Sequence, residues 1–266
     1  MRLPCGYRAG DGRLVREVSF APLDGHLELH LWEACRTVAS RPERITGILS
    51  CALREEKDGR LGMRQAARLA VADRDFLIVQ LGRLFGFLQA WITAECAACL
   101  RPFDVQIRTD ELPLAFRDEG EEPVEVETSA GRLSVRMPDG GDQEAVAGHP
   151  DREEAVRVIL GRCIVEGAAA AEDLTDADIL AIDAALEEAS AGYPDAAAVS
   201  CPLCKAPNEV PIDTAAWIDR LDEGPLADVH ALASSYHWSE ADILSLSRAR
   251  RLHYLQLVAS DSERVH

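Results

Sequence analysis

Apolar and polar side chains alternate along residues 3–21 about the turn Gly10-Asp11-Gly12. Leu14, Arg16, Val18 and Phe20 fall on one side and Val15, Glu17 and Ser19 on the other. The segment predicts a β-hairpin that Pro22 ends. From 25 to 95 the spacing becomes helical. Leu27, Leu31, Ala34, Cys35 and Val38 recur at helical intervals, as do Ile45, Ile48, Leu49, Ala52 and Leu53. Lys57-Asp58-Gly59 interrupts the run. A third helical block begins at Arg64, with Asp73 predicted to cap a helix over 74–85 and Gly86 to close it.

Between 100 and 137 the period returns to two. Phe103, Val105 and Ile107 alternate with Asp104, Gln106 and Arg108, and Leu112, Leu114 and Phe116 repeat the pattern. Val124 and Val126, then Leu133, Val135 and Met137, flank the turn Ser129-Ala130-Gly131. A small antiparallel β region is predicted, followed by a loop over 138–150. Residues 151–190 are helical again. Ala155, Val156, Ile159, Leu160, Cys163 and Ile164 make one face, and Thr175 caps a second helix with Asp178 at its third position and Leu174 stapled to Ile179. An alanine-rich linker, 189–199, leads to a tail over 213–258 that is helical with interruptions. Gly224-Pro225 restarts a helix. In Trp238-Ser239-Glu240-Ala241-Asp242-Ile243, Ser239 is the cap and Trp238 the staple to Ile243, and Ser247 caps a last helix carrying Leu252, Leu255 and Val258. No internal repeat is evident. The pattern predicts an α+β, mainly helical chain in three consecutive parts: 1–95, an N-terminal hairpin plus helices; 96–212, a β module with inserted acidic helices at 151–190; and 213–266, a helical tail.

Charge narrows the partners. Acidic residues outnumber basic ones 46 to 28, for a net charge of −18. Twelve of the acids lie in 151–200 against three arginines, so that stretch repels polyanions. Arg248, Arg250 and Arg251 make a local basic patch too small to offset this. Nucleic acid is therefore not an expected partner. No apolar run approaches the roughly 18 residues that span a bilayer, and the N-terminus has no apolar signal region. The expectation is a cytoplasmic protein without a membrane partner.

Four of the eight cysteines stand singly, at Cys5, Cys35, Cys51 and Cys163, and suit small apolar sites. The other four form two CxxC pairs, Cys96/Cys99 and Cys201/Cys204. Each is followed by strand-like residues, Phe103-Asp104-Val105-Gln106-Ile107 and Glu209-Val210-Pro211-Ile212. Turn-then-strand is the knuckle of a zinc ribbon, and two knuckles supply four thiolates for one structural Zn2+ per chain. The pairs are 101 residues apart, against about 15–20 in a compact ribbon, and Leu100 and Lys205 stand where glycine is common. The prediction is a split four-cysteine zinc ribbon that clasps the chain across a long insertion. Redox CxxC pairs open helices in a βαβ setting, which neither pair here does.

The remaining candidates are weaker. His230, Tyr236, His237 and Trp238 suit core and cap positions better than a partner surface. Asp73-Arg74-Asp75 is read as helix-start charge rather than an acid/base pair. There is no GxSxG and no HExxH, and Gly59-Arg60-Leu61-Gly62 lacks the Lys-Ser/Thr of a phosphate loop. No catalytic residue, small-molecule substrate or organic cofactor is proposed.

Several stretches resemble a known family. Leu3-Pro4-Cys5-Gly6-Tyr7, Gly10-Asp11-Gly12-Arg13-Leu14 and Arg16-Glu17-Val18 look like its opening. Ala72-Asp73-Arg74-Asp75-Phe76-Leu77, the two cysteine pairs, Tyr236-His237-Trp238-Ser239-Glu240-Ala241-Asp242-Ile243-Leu244 and Arg250-Arg251-Leu252-His253-Tyr254-Leu255 continue the likeness in order. The chain resembles the T4-type phage baseplate or tail-assembly proteins encoded with contractile phage tails and related injection systems. It departs from them at Cys5, where a serine or other small residue is usual, and at Ser247, where proline is. The resemblance implies a non-enzymatic protein that helps build a baseplate by contacts with other tail proteins, in the cytoplasm during assembly, and then either stays in the tail-like particle or leaves as an assembly chaperone. The competing classes are a zinc-ribbon nucleic-acid-binding or regulatory protein and a thiol oxidoreductase.

Overall fold

In the computed structural model the predicted N-terminal hairpin forms. β1 (Arg2–Arg8) and β2 (Leu14–Phe20) pair antiparallel, with Tyr7 opposite Val15 and the Asp11 carboxylate accepting from the Arg13 N–H at the turn. There follow α1 (Gly25–Thr37), α2 (Arg41–Ala52), β3 (Leu53–Glu55), β4 (Gly59–Arg60), α3 (Met63–Ala67), α4 (Val71–Leu84), β5 (Gln89–Glu95) and β6 (Pro102–Arg108). Then come β7 (Val124–Thr128), β8 (Gly131–Val135), α5 (Gly140–Ala145), α6 (Arg152–Cys163), β9 (Ile164–Glu166), α7 (Asp176–Glu188), β10 (Ala196–Ser200), β11 (Pro207–Pro211), α8 (Leu226–Tyr236), α9 (Glu240–Leu244) and α10 (Arg248–Arg264). The structure describes residues 1–38, 40–55, 59–117, 123–167, 170–218 and 224–264. Lys57 and Asp58, two thirds of the break predicted after α2, lie outside them. The α+β class holds, and no helix among the described residues is long and apolar enough to cross a membrane.

The division into compact units differs from the three consecutive segments read from the sequence. One unit is Met1–Glu17 with Ala67–Ala216, the other Val18–Ala66 with Trp217–His266. Each is closed by residues far apart in sequence, which local periodicity cannot reveal.

In the second unit, Asp24 caps α1 and Ser40 with Glu43 forms a capping box on α2. The predicted apolar faces are inside: Leu27 and Leu31 of α1, and Ile45, Ile48, Leu49 and Ala52 of α2, are all buried. The end of β2 pairs with β3, placing Val18 opposite Glu55. Val229 and Leu232 of α8 and Ile243 and Leu244 of α9 form a core against which Tyr236, Trp238, Tyr254 and Leu255 pack. Ser239 caps α9, accepting from the Asp242 N–H as predicted. Arg251 is not part of a surface basic patch. It is fully buried, its guanidinium 2.6 Å from Glu28, and Arg248 reaches the same carboxylate at 3.1 Å.

In the first unit, α4 packs on β1. It begins two residues before the predicted cap, so Asp73 is not the cap but a fully buried first-turn residue that accepts from the Cys5 N–H at 2.8 Å. Gly86, at φ +86°, ends α4 as expected. The segment 112–116 is not a strand: only Ala115 forms a bridge, to Gly192, and Pro113 has no N–H to give. Residues 89–95 are not helical but form β5. Residues 189–199 are not wholly linker, since β10 begins at Ala196. The predicted loop 138–150 contains α5, with Asp139 and Asp142 as its capping box. Asp142 is fully buried between Arg136 and Arg162, each with a 2.7 Å contact. Burial raises its pKa, but the two guanidiniums and the Asp139 N–H outweigh this and hold it down to about 2. Beside it, β7, β8 and β9 form a three-stranded sheet covered by α6 and α7 around Leu133, Val135, Leu160, Cys163 and Ile182. The Thr175–Asp178 capping box forms, and Asp178 also accepts from the N–H and hydroxyl of Ser129, tying α7 to the β7–β8 turn.

Gly140 carries the first prediction. A Cβ there would fall onto the guanidinium of Arg74, which is 1 % exposed and lies near Asp75, Asp139 and Glu144. Overpacking of this kind costs about 1–3 kcal/mol. Gly140→Ala is expected to lower the unfolding free energy by that amount, seen as a lower urea midpoint at unchanged m-value; an unaltered midpoint would show that Arg74 has room to yield.

Candidate metal centre

Two hairpins of one design build the centre. β5 and β6 pair with Glu95 opposite Pro102, and β10 and β11 pair with Ser200 opposite Pro207. At the end of the first, Leu100 N–H donates to the Cys96 carbonyl at 2.9 Å and Cys96 N–H to the Arg101 carbonyl at 3.0 Å. At the end of the second, Lys205 N–H donates to the Cys201 carbonyl at 3.0 Å and Cys201 N–H to the Ala206 carbonyl at 2.9 Å. Cys96, Cys99, Leu100 and Pro102 thus match Cys201, Cys204, Lys205 and Pro207 position for position. The chain does contain an internal repeat, one knuckle hairpin used twice, which corrects the expectation of none. Its only sequence trace is the shared spacing CxxCxxP. The match extends to the backbone: Leu100 and Lys205 both adopt positive φ, +57° and +63°. The knuckle demands a left-handed residue after its second cysteine even though neither copy supplies glycine.

The repeat brings together all four predicted ligands. Their sulfurs lie within 4.8 Å of one another. Cys96 Sγ is 3.6 Å from Cys204 Sγ, and Cys99 Sγ is 3.9 Å from Cys201 Sγ. A tetrahedral zinc site with Zn–S near 2.3 Å has sulfur–sulfur edges of about 3.8 Å; the Cys96–Cys204 and Cys99–Cys201 separations match that value, and all four sulfurs are close enough together to share one ion. Cys96 and Cys201 are fully buried, Cys99 is half-buried and Cys204 exposed. Around them Phe103 and Val210 are buried, with Ile92, Ala94, Val105, Val199 and Ala206 packed alongside.

The surroundings favour thiolate. The Cys99 N–H, opposed by desolvation and aided by the Ala98 N–H, the Cys204 thiol and the Asn208 amide, holds Cys96 down to about 6. The Cys204 and Leu203 N–H groups lower Cys201 in the same way. Cys204 accepts from the Ala206 N–H, but its proximity to Cys96, with desolvation, pushes it up to about 11. Four clustered sulfurs cannot all ionise without a cation, and a divalent ion among them removes that limit. Asn208, not foreseen from the sequence, links the hairpins. Its side chain accepts from the Ala97 N–H at 2.9 Å and lies 3.6 Å from Cys96 Sγ, orienting a ligand from outside the ligand set.

Of the other candidates, His230 is exposed rather than in the core, and the rest have partners away from the cysteines. Asp73 and Asp75 are two apart on α4 and face different neighbours: Asp73 meets Cys5, whereas Asp75 accepts from the Thr214 hydroxyl at 2.9 Å. Burial pushes Asp75 up to about 6 and lowers Arg74 to about 10. Tyr236 stacks on Trp238 at 4.9 Å and Trp238 meets Tyr254 edge-on at 5.0 Å, so these rings fill one another's faces. His237, at φ +58°, ends α8. The four cysteines therefore make a cluster able to hold a metal ion. No protein-family model, curated protein or solved structure matches the chain.

Proposed function

We propose that this chain is a non-enzymatic structural or assembly protein of a contractile phage-tail-like baseplate. It acts through contacts with other tail proteins and is held together by one structural zinc on Cys96, Cys99, Cys201 and Cys204. The observation that carries the metal role is the doubled knuckle: two hairpins 101 residues apart bring four thiols within 4.8 Å of one another. All four positions of such a shell are protein sulfurs, which leaves no open coordination site for substrate and suits a structural ion. Thiolate ligands favour zinc over magnesium or calcium. The ordered sequence resemblance, from the hairpin at Gly10-Asp11-Gly12 to Trp238 and Tyr254, supports the tail-assembly context.

Affinity capture of the tagged chain from cells producing the tail-like particle tests the role. Sheath, tube or baseplate proteins are expected in the eluate, and cells lacking the chain are expected to yield tubes or sheaths without complete baseplates. Retention on DNA that weakens steeply with salt, with no tail protein captured, would overturn this reading in favour of a zinc-ribbon nucleic-acid binder.

A further inference from the structure

We propose that the cysteine clasp has a second closed state without metal, in which oxidation joins the two hairpins directly through Cys96–Cys204 and Cys99–Cys201 disulfides. The inference rests on the reading of these four cysteines as one metal centre and concerns how that centre is regulated.

The geometry points across the hairpins. The sulfurs of Cys96 and Cys204 are 3.6 Å apart and those of Cys99 and Cys201 3.9 Å. A disulfide needs about 2.05 Å, so each bond forms by a closing movement of about 2 Å or less. That movement can occur between the hairpins while each knuckle keeps its own turn, fixed by the Leu100-to-Cys96 and Lys205-to-Cys201 backbone bonds. Exposure sorts the four sulfurs into roles. Each cross pair joins a fully buried cysteine to a more exposed one: Cys96 to exposed Cys204, and Cys201 to half-buried Cys99. An oxidant from solvent meets the exposed member, and the buried member lies in position to resolve it.

With hydrogen peroxide the chemistry closes on this chain's own residues. The Cys204 sulfur attacks one peroxide oxygen, the O–O bond breaks, and the departing hydroxide takes a proton to become water, leaving Cys204 as a sulfenic acid. The Cys96 thiolate then attacks the Cys204 sulfur. The S–O bond breaks and the second hydroxide leaves as water once protonated. Two thiols lose two electrons and two protons, peroxide gains them, and the products are one disulfide and two waters. A second equivalent does the same for Cys99 and Cys201. Disulfide sulfurs are poor ligands, so a bound ion is released. Cys163 does not compete, because it is fully buried away from solvent oxidant and its thiol faces the Asp142 carboxylate at 3.7 Å rather than another cysteine.

The consequence is that the two ways of losing metal have opposite outcomes. Chelation leaves four thiols and frees the hairpins from one another. Peroxide replaces the ion with covalent bonds between the same residues, so the 101-residue insertion stays closed.

The experiment uses the purified, reduced chain with its metal content measured beforehand. One and then two equivalents of hydrogen peroxide are added per chain, and released zinc is read with a chromogenic chelator. Free thiols are then alkylated and disulfides mapped by mass spectrometry of tryptic peptides. The expected result is release of one zinc per chain together with a linked species joining the peptide that carries Cys96 and Cys99 to the 163–205 peptide, whose fragment spectra place the bonds at Cys96–Cys204 and Cys99–Cys201 and leave Cys163 alkylated. Thiol reductant plus zinc should reverse both. Disulfides confined to Cys96–Cys99 and Cys201–Cys204, or overoxidation to sulfinic acid without linkage, would overturn the proposal. A chain isolated without metal would overturn the metal reading alone, and the same peptide map would still decide the disulfides.

Discussion

Cys201→Ser is expected to empty the metal centre and to lower the thermal unfolding midpoint by about 10 °C or more, with elemental analysis falling from one zinc per chain to none. The size of the effect follows from how little else holds the two hairpins together. Their shared core has four buried residues, and two of them, Cys96 and Cys201, are themselves ligands; Phe103 and Val210 complete it. A core that small cannot offset the entropy of bringing residues 96–99 and 201–204 together. Structural zinc contributes on the order of 10 kcal/mol in small zinc-dependent folds. For a chain of this size 1 kcal/mol moves the midpoint by about 2–4 °C, so a third of that contribution accounts for the shift. Cys35→Ser and Cys51→Ser, whose cysteines lie in the other unit, serve as controls and should keep full metal content. A wild-type chain that is folded and free of metal, or Cys201→Ser with zinc undiminished, would refute the clasp.

The ligands of that centre were legible in the sequence and the architecture around it was not, and the difference has a physical cause. Thiols at CxxC spacing declare their chemistry whatever surrounds them. The strands that aim them are made by pairing rather than by side-chain character. β5 reads Gln-Ala-Trp-Ile-Thr-Ala-Glu; its inward positions Ala90, Ile92 and Ala94 alternate as a strand should, but two alanines and flanking Gln and Glu also suit a helix. β10 begins Ala196-Ala197-Ala198, which carries no strand signal at all and is fixed by β11 alone. Conversely, Leu112, Leu114 and Phe116 alternate well, but among the described residues the segment forms only the isolated Ala115–Gly192 bridge, and Phe116 is left 46 % exposed. The helix α5 was hidden by Gly140-Gly141, poor helix formers, of which Gly140 leaves room for the Arg74 guanidinium. Caps were the most readable feature: Ser239 and Thr175 sit where their hydroxyls satisfy helix N–H groups locally, and such short-range bonds are encoded by adjacent residues. Asp73 failed that rule because a long-range partner, the Cys5 N–H, claimed its carboxylate.

Glu28→Gln is the second large effect, and it tests a contact that no local pattern announced. Arg251 is fully buried and Glu28 only 5 % exposed, with Oε2 2.6 Å from one guanidinium nitrogen. Arg248 shares the same oxygen at 3.1 Å, Arg251 also donates to the Leu246 carbonyl at 3.0 Å, and Asp228 stands 3.8 Å away. Removing the Glu28 charge leaves a guanidinium out of water with its nearest counter-charge gone, a loss of about 3–5 kcal/mol when a buried pair is broken on one side. Urea unfolding followed by circular dichroism should show that loss. The pair's own net worth is a separate quantity, because burying two ions can cost as much as their attraction returns. Glu28→Leu combined with Arg251→Met separates the two. The double variant should recover at least half of the stability lost by Glu28→Gln, with the remainder set by the Leu246 carbonyl that loses its donor and by Arg248 and Asp228, which each lose an ion-pair partner. Equal destabilisation in the single and double variants would mean that the shape of the Arg251 side chain, not its charge, holds α10 against α1.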